Sequence, residues 1–332
     1  MCQYYFTTNE RELLFLNHSN GVSNKKIAKI LGKSVSSIGR ELKKYSVNGV
    51  YSPSYAEEQS KINRSKCGRH KILKDNPSLL VKIQNLIYEK QWSPEQICNR
   101  IKEEKYNFQI SYGTIYRAIK SNLLDMEPYN PNRKGFERNL RRQGTPYRKK
   151  DKTDNRGKFP ISYHISKRPI ASEQRTECGH WEVDCVAGKK GGACLVTLVD
   201  RKSRFLLSAI SVRQASEPVR DILVSLIKKL DKNKCKTLTP DRGKEFAKHS
   251  EISNIFKHIK FYFPDPYSPW QRGTNENTNG LLREYIPKYT DISKISDEKL
   301  QEIVNKINLR PRKCLNWKTP FEIFYNKGLQ LI

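Results

Sequence analysis

The sequence predicts a multidomain chain: all-α units at the amino-terminal side, followed by an α/β domain with a mixed five-stranded sheet. Three observations predict this. Apolar residues recur at helical spacing through residues 8–45 and again around 94–120. After Cys178 the pattern switches to short apolar runs separated by turn residues. Between these regions, residues 133–168 carry 13 basic and three acidic side chains with no apolar period, which reads as a basic linker.

Composition narrows the partner before any motif is read. The 332 residues hold 63 Lys plus Arg against 34 Asp plus Glu, a net charge of +29. Both halves are basic, which points to a polyanion touched at several places. The longest clean apolar run, Ala193 to Val199, is far too short to span a bilayer, so a membrane partner is not expected. The start lacks a basic n-region followed by an apolar h-region, so no secretory signal is expected. Eight Cys are present without any CxxC pair, and Cys178, His180 and Cys185 match no common zinc spacing; reduced, buried thiols are expected.

The first helical region, 1–50, contains "NERELLFLNHSNG", then "NKKIAKIL" with Ser23 as its expected cap and Gly32 as its stop. Ser34 opens "VSSIGRELKKY", whose Val35, Ile38 and Leu42 are expected inward. Ser36, Ser37, Arg40, Lys43 and Lys44 are left outward, so this is a helix-turn-helix with a polar, basic second helix, suited to DNA. A connector over 51–75 follows, with some helix around "SYAEEQSKINR". A second helix-turn-helix-like unit is expected over 76–130. Its first helix opens at Ser93-Pro94-Glu95-Gln96, with the cap, proline and Gln in capping-box order. Its second places Ile115 and Ile119 inward and Tyr112, Thr114, Arg117 and Lys120 outward. The basic linker is then bounded at 131–172, and the α/β domain with a helical extension at 173–332.

Within that domain the order reads β-β-β-α-β-α-β-α. Asp184 lies in the first strand, Asp241 ends the fourth in "TPDRGKEF", and Glu276 begins the helix after the fifth. If the first strand is central with the fourth beside it, Asp184 and Asp241 meet at neighbouring positions, and the helix can bring Glu276 to the same point. Three clustered carboxylates repel unless a divalent metal offsets their charge. Two Mg²⁺ ions per site, replaceable by Mn²⁺, would suit phosphoryl transfer with no protein nucleophile. Glu182 and Glu245 are nearby acids expected to tolerate substitution.

"GHWEVD", "TPDRGKEF" and "PYSPWQRGTNENTNGLLREYIPK" resemble the catalytic core of bacterial insertion-sequence transposases of the IS-thirty family, as "NLRPRKCLNWKTPFEIF" resembles its carboxy-terminal signature. The spacings of 57 positions from Asp184 to Asp241 and 35 from Asp241 to Glu276 fit the family's DDE signature. Arg242 stands where the family usually has Asn, and Val183 where Gly often precedes the first Asp. The resemblance implies an RNase H-like fold shared with retroviral integrases. It also implies double-stranded DNA as substrate, both at the element's ends and as target. Metal-dependent cutting and joining by Asp184, Asp241 and Glu276, and a homo-oligomer of at least two chains on DNA, follow from it too. A bacterial cytoplasmic, nucleoid-associated location goes with that role. A catalytically silent DNA-binding repressor and a metal-dependent nuclease without strand transfer are the alternatives.

Overall fold

The computed structural model of the chain describes residues 5–47, 49–66, 72–125, 160–189, 191–266 and 268–332. The chain divides into two compact units, Met1–Asp75 and Asn76–Ile332.

In the first unit, α1 (Thr8–Ser19) starts at a capping box: the Thr7 hydroxyl accepts from the Glu10 amide while the Glu10 carboxylate accepts from the Thr7 amide. Helix α2 (Asn24–Leu31) ends at Gly32, whose φ of +61° suits a residue without Cβ. Ser23 sits at the cap position of α2 but makes no side-chain cap hydrogen bond, unlike the sequence expectation. Helix α3 (Val35–Tyr45) is capped by Ser34, which accepts from the Ser37 amide. Ile38 and Leu42 are buried with Leu14, Ile27 and Ala28, whereas Val35, expected inward, is 48% exposed because the first turn of α3 projects past that core. A two-stranded hairpin, β1 (Ser46–Val47) and β2 (Val50–Tyr51), leads into α4 (Pro53–Lys66), which adds Ala56 to the same core, and then α5 (Ile72–Asp75).

The second unit begins with α6 (Pro77–Tyr88), α7 (Pro94–Glu103) and α8 (Tyr112–Lys120). The Ser93–Gln96 capping box forms at α7, with Pro94 in the first turn. Residues 126–159, which hold most of the expected basic linker, lie outside the described residues.

A six-stranded sheet follows, one strand more than the sequence predicts. The extra strand is β3 (Tyr163–His164), inside the stretch assigned to the linker; it pairs in parallel with β8 (Lys260–Phe263). Two polar residues carry no period-2 signal, and their pairing across about a hundred residues is invisible to local pattern. The other strands are β4 (His180–Ala187), β5 (Cys194–Asp200), β6 (Leu206–Ser211) and β7 (Thr237–Thr239), in the spatial order β3-β8-β7-β4-β5-β6. β4, β5 and β6 pair antiparallel; β4, β7 and β8 pair in parallel. The first long strand is therefore central, with the Asp241 strand beside it.

Alternation along β4 sorts its side chains to two faces. Trp181 and Val183 join the core made with α10 (Ser216–Lys228), α11 (His249–Ile255) and α14 (Pro320–Tyr325), after a short α9 (Ile170–Gln174). Val186, with Leu195, Val199 and Leu206, packs under α12 (Gly273–Tyr285) and α13 (Asp297–Asn308). Glu182 and Asp184 share the parity of Val186, so they lie on the face that α12 crosses.

Candidate active site

Register places the two aspartates. Glu182 of β4 lies opposite Thr239, the last residue of β7; Asp184 stands two residues further along β4, and Asp241, expected to end its strand, stands two residues past the end of β7. Asp241 is 7% exposed and accepts a hydrogen bond from the Gly243 amide at 2.8 Å. That tight turn explains the glycine: a Cβ at Gly243 would fall 2.7 Å from Asp241 Oδ1 and 2.4 Å from Glu245 Oε2. Glu245 is itself held by Gln214 Nε2 at 2.6 Å.

Both aspartates face one cation. Arg272, at the end of a short 3₁₀ turn (Pro269–Arg272), brings Nη1 to 3.9 Å from Asp184 Oδ1 and Nη2 to 3.7 Å from Asp241 Oδ2. These are charge contacts too long for hydrogen bonds. The guanidinium is anchored instead by donating to the Val183 carbonyl at 3.1 Å. Asp184 Oδ2 accepts from Asn279 Nδ2 at 2.7 Å, and its Oδ1 from the Cys185 amide at 3.0 Å. Burial raises the Asp184 carboxyl to about 6, with Asp241 pushing the same way and Arg272 opposing.

Helix α12 is fixed from below. The Asn275 amide donates to Glu182 Oε2 at 2.9 Å, and Arg204 Nη1 donates to Thr274 Oγ1 at 2.6 Å. Glu182 is fully buried and paired with Arg201. The expectation that Glu182 tolerates change is therefore corrected: it lies on the covered face of β4 and holds the catalytic-side helix to the sheet. Glu276 stands in the first turn of α12 with its side chain exposed. The structure brings Asp184 and Asp241 to a shared neighbour. Among the described residues, no three His, Cys, Asp or Glu side chains are grouped closely enough to hold a metal ion. The side-chain amide of Asn275 and Asn279 Oδ1 are buried without hydrogen-bond partners among the described residues.

Arg272 and Asn279 went unnoticed in the sequence. Their signal was the run 272, 275, 276, 279, three and four residues apart, which places them along one side of a helix. Arg242, which stands where the family usually has Asn, donates to the Pro264 carbonyl at 2.7 Å.

On α3, Ser36, Arg40, Lys43 and Lys44 are exposed and Ser37 is half-buried, its hydroxyl 2.8 Å from that of Ser34. On α8, Tyr112, Arg117 and Lys120 are exposed, and half-buried Thr114 accepts from Arg117 Nη2 at 3.3 Å. Both helices thus present a polar, basic face, the pattern of a recognition helix.

Known proteins match this architecture. Residues 174–269 match the integrase core domain family and residues 5–44 a helix-turn-helix domain family. The transposase for insertion sequence element IS4351 of Bacteroides fragilis is 37% identical over 96% of this chain and 95% of its own length. That for IS1086 of Cupriavidus metallidurans is 33% identical over 95% and 92%. Transposase InsI for IS30A of Escherichia coli is 34% identical over 98% and 85%. With such identity along nearly its whole length, an integrase core built around β4 and a helix-turn-helix ahead of it, the chain belongs to the IS-thirty family of insertion-sequence transposases.

Proposed function

We propose that this protein binds the terminal inverted repeats of an insertion sequence and catalyses metal-dependent strand cleavage and strand transfer. One observation carries the reading: Asp184 on β4 and Asp241 just past the end of the adjacent parallel β7 converge on a single cationic neighbour, Arg272, at the start of the helix that bears Glu276. Family membership supports DNA as substrate, and the exposed faces of α3 and α8 supply its recognition. Among the described residues no helix is long and apolar enough to cross a membrane.

The donor set fits a hard divalent cation. Both facing groups are carboxylates; Asp184, whose carboxyl burial has raised, gains from a neighbour that restores its charge, and a positive group already contacts both. Asp184 and Asp241 would hold Mg²⁺ with Glu276 as third ligand, and two ions, replaceable by Mn²⁺, would polarise the scissile phosphate and activate water or a 3′-hydroxyl. The chain's own residues do the rest. Asn279 orients Asp184 through its 2.7 Å hydrogen bond. Glu182 holds the start of α12 in place. The exposed Glu276 is accessible to a strand lying across the sheet end. The acting form is a homo-oligomer of at least two chains on paired ends, since two ends are joined together, and it works in the bacterial cytoplasm on the nucleoid.

Labelled duplexes carrying the element's ends test this. Asp184→Asn, Asp241→Asn and Glu276→Gln should each lower cleavage and joining by about 10²-fold or more while binding persists. Chelation should stop the wild type and Mn²⁺ should replace Mg²⁺. Hydrolysis without joining would make the protein a nuclease; end binding with no metal-dependent cleavage would make it a repressor. Near-normal joining by Glu276→Gln would remove that residue from the site.

A further inference from the structure

Next to the acidic pair lies a second concavity that the two carboxylates do not use. It has a volume of about 610 Å³, and its lining includes Arg168, Arg175, Arg201, Trp270 and Gln271 together with two carboxylates, Glu173 and Asp265, each of them already paired with a side chain of the fold. It shares a wall with the candidate active site. Arg272 turns toward Asp184 and Asp241, while Trp270 and Gln271 of the same 3₁₀ turn face the cavity.

The lining separates into scaffold and unspent groups. Arg168 pairs with Glu173, and Arg201 pairs with Glu182 and donates to the Ser172 carbonyl at 2.9 Å, so both are committed to the fold. Arg175 is not. It follows α9 at φ +57°, is exposed, sits among the like charges of Arg201 and Arg204, and has no hydrogen-bond or ion-pair partner among the described residues. A guanidinium held beside other guanidiniums, with no ion pair of its own, is suited to a phosphate.

Trp270 supplies the second group. It is 73% exposed, an unusual placement for an indole that no core needs. Its turn is nonetheless rigid. Gln271 Nε2 donates to Asp265 Oδ2 at 2.8 Å, and Gln271 Oε1 accepts from the Asp265 amide at 2.8 Å. Asp265 Oδ1 lies 2.6 Å from His164 Nε2, whose Nδ1 is 2.8 Å from Ser166 Oγ. A flat aromatic on a braced turn beside a free guanidinium is a platform for a base with its phosphate.

We propose that this cavity holds one unpaired nucleotide of the DNA strand whose neighbouring phosphate lies at Asp184 and Asp241, its base stacked on Trp270 and its phosphate on Arg175. The volume lies within the roughly 300–1,000 Å³ of small-ligand sites, which is room for one nucleotide. The strand must therefore leave its complement beside the reacting phosphate, and loss of pairing there is offset by stacking on the indole. This assignment rests on the proposed function, because it takes the strand at the acidic pair as given.

The test uses the full chain and an end duplex, with 2-aminopurine placed in turn at each position flanking the cleaved joint. One position should be unpaired yet quenched in the wild type, and brighten several-fold in Trp270→Ala, with Trp270→Phe restoring the quench. Arg175→Ala should weaken binding by about tenfold, Arg175→Lys by less. A methylphosphonate at that nucleotide's phosphate should abolish the difference between wild type and Arg175→Ala. Identical fluorescence of wild type and Trp270→Ala at every position would overturn the pocket, as would an Arg175→Ala protein with unchanged affinity. So would quenching by a free nucleoside monophosphate as strong as by the duplex. Cleavage is read in parallel on the same DNA. A cleaving wild type with a silent 2-aminopurine series refutes the pocket alone; a wild type that neither binds nor cleaves refutes both readings.

Discussion

Replacing Glu322 by Gln tests what fastens the α6–α8 helices to the sheet domain within the second unit. Glu322 lies in the first turn of α14, and Arg100 lies on α7. The guanidinium donates to both carboxylate oxygens, at 2.7 and 2.8 Å, and the side chains are 1% and 7% exposed. The same carboxylate accepts from the Thr319 amide at 2.7 Å, the Thr319 hydroxyl at 3.0 Å and the Leu329 amide at 3.0 Å. Burial by itself would raise this carboxyl. Arg100 and the two amides overcome that and hold it at about 2, against an ordinary 4.5.

A depression of that size corresponds to about 3 kcal/mol of folding stability. Because the folded value is the lower one, the contribution is complete above the ordinary value and is lost as pH falls through the range between them. Glu322→Gln keeps the shape, removes the charge and leaves Arg100 with Glu104 as its remaining ionic partner. The expected loss at neutral pH is about 3 kcal/mol, the low end for a broken buried pair. Urea unfolding of the two proteins across a pH series reads it. The gap should be widest near neutrality and close under acid conditions. Replacing Arg100 and Glu322 by Met together with Glu104 by Gln should recover part of the loss, since no charge of the cluster is then stranded. A gap below about 1 kcal/mol at neutral pH, or one that widens in acid, would show that the pair is not what joins these segments.

Other outcomes follow from the same geometry. Glu182→Gln should destabilise the fold by about 3 kcal/mol and reduce cleavage by releasing the start of α12, read by unfolding together with cleavage; a variant as stable and active as wild type refutes the anchoring role. Gly243→Ala should displace the Asp241 carboxylate, costing cleavage but not end binding, and unchanged cleavage would mean that the turn yields freely. Arg40→Ala should weaken end binding and lower the salt slope by about one if it touches phosphate only; an unchanged titration at every salt concentration removes Arg40 from the interface.

The sheet was legible where physics repeats itself. Apolar alternation in "HWEVDCVAG" and "ACLVTLVD", with turns between, marked adjacent antiparallel strands and so put Asp184 on a central strand. The position of Asp241 at the end of the next parallel strand followed from the same order. What stayed hidden depends on contacts without a period. Glu182 reads as an outward acid in a half-exposed strand, because nothing local says that α12 will cover that face. Arg272 reads as one more basic residue in a chain of net charge +29 until the turn aims it. The join between α7 and the chain from the end of α13 onward runs through single polar groups more than 200 residues apart, such as Gln96 Nε2 to the Pro311 carbonyl at 2.8 Å. Such contacts leave no trace in hydropathy.

Two acids on one face of β4 show how position decides role. Glu182 is fully buried, ion-paired with Arg201 and accepts a backbone amide from α12, so its charge is spent on holding the helix. Asp184, two residues on, meets its arginine at 3.9 Å, beyond hydrogen-bond reach, and has one side-chain hydrogen bond, from Asn279. Its carboxyl is raised to about 6, whereas a closed ion pair with satisfied lone pairs would hold the charged form firmly. Exchange of one cation for another is cheap at Asp184 and costly at Glu182. A reacting site needs the first kind of acid and a scaffold the second. Moving Arg272 closer, so that it formed a bidentate pair, would therefore make Asp184 another strut. An arginine anchored on the Val183 carbonyl and only in charge contact with Asp184 is what would leave that carboxylate open to the proposed metal.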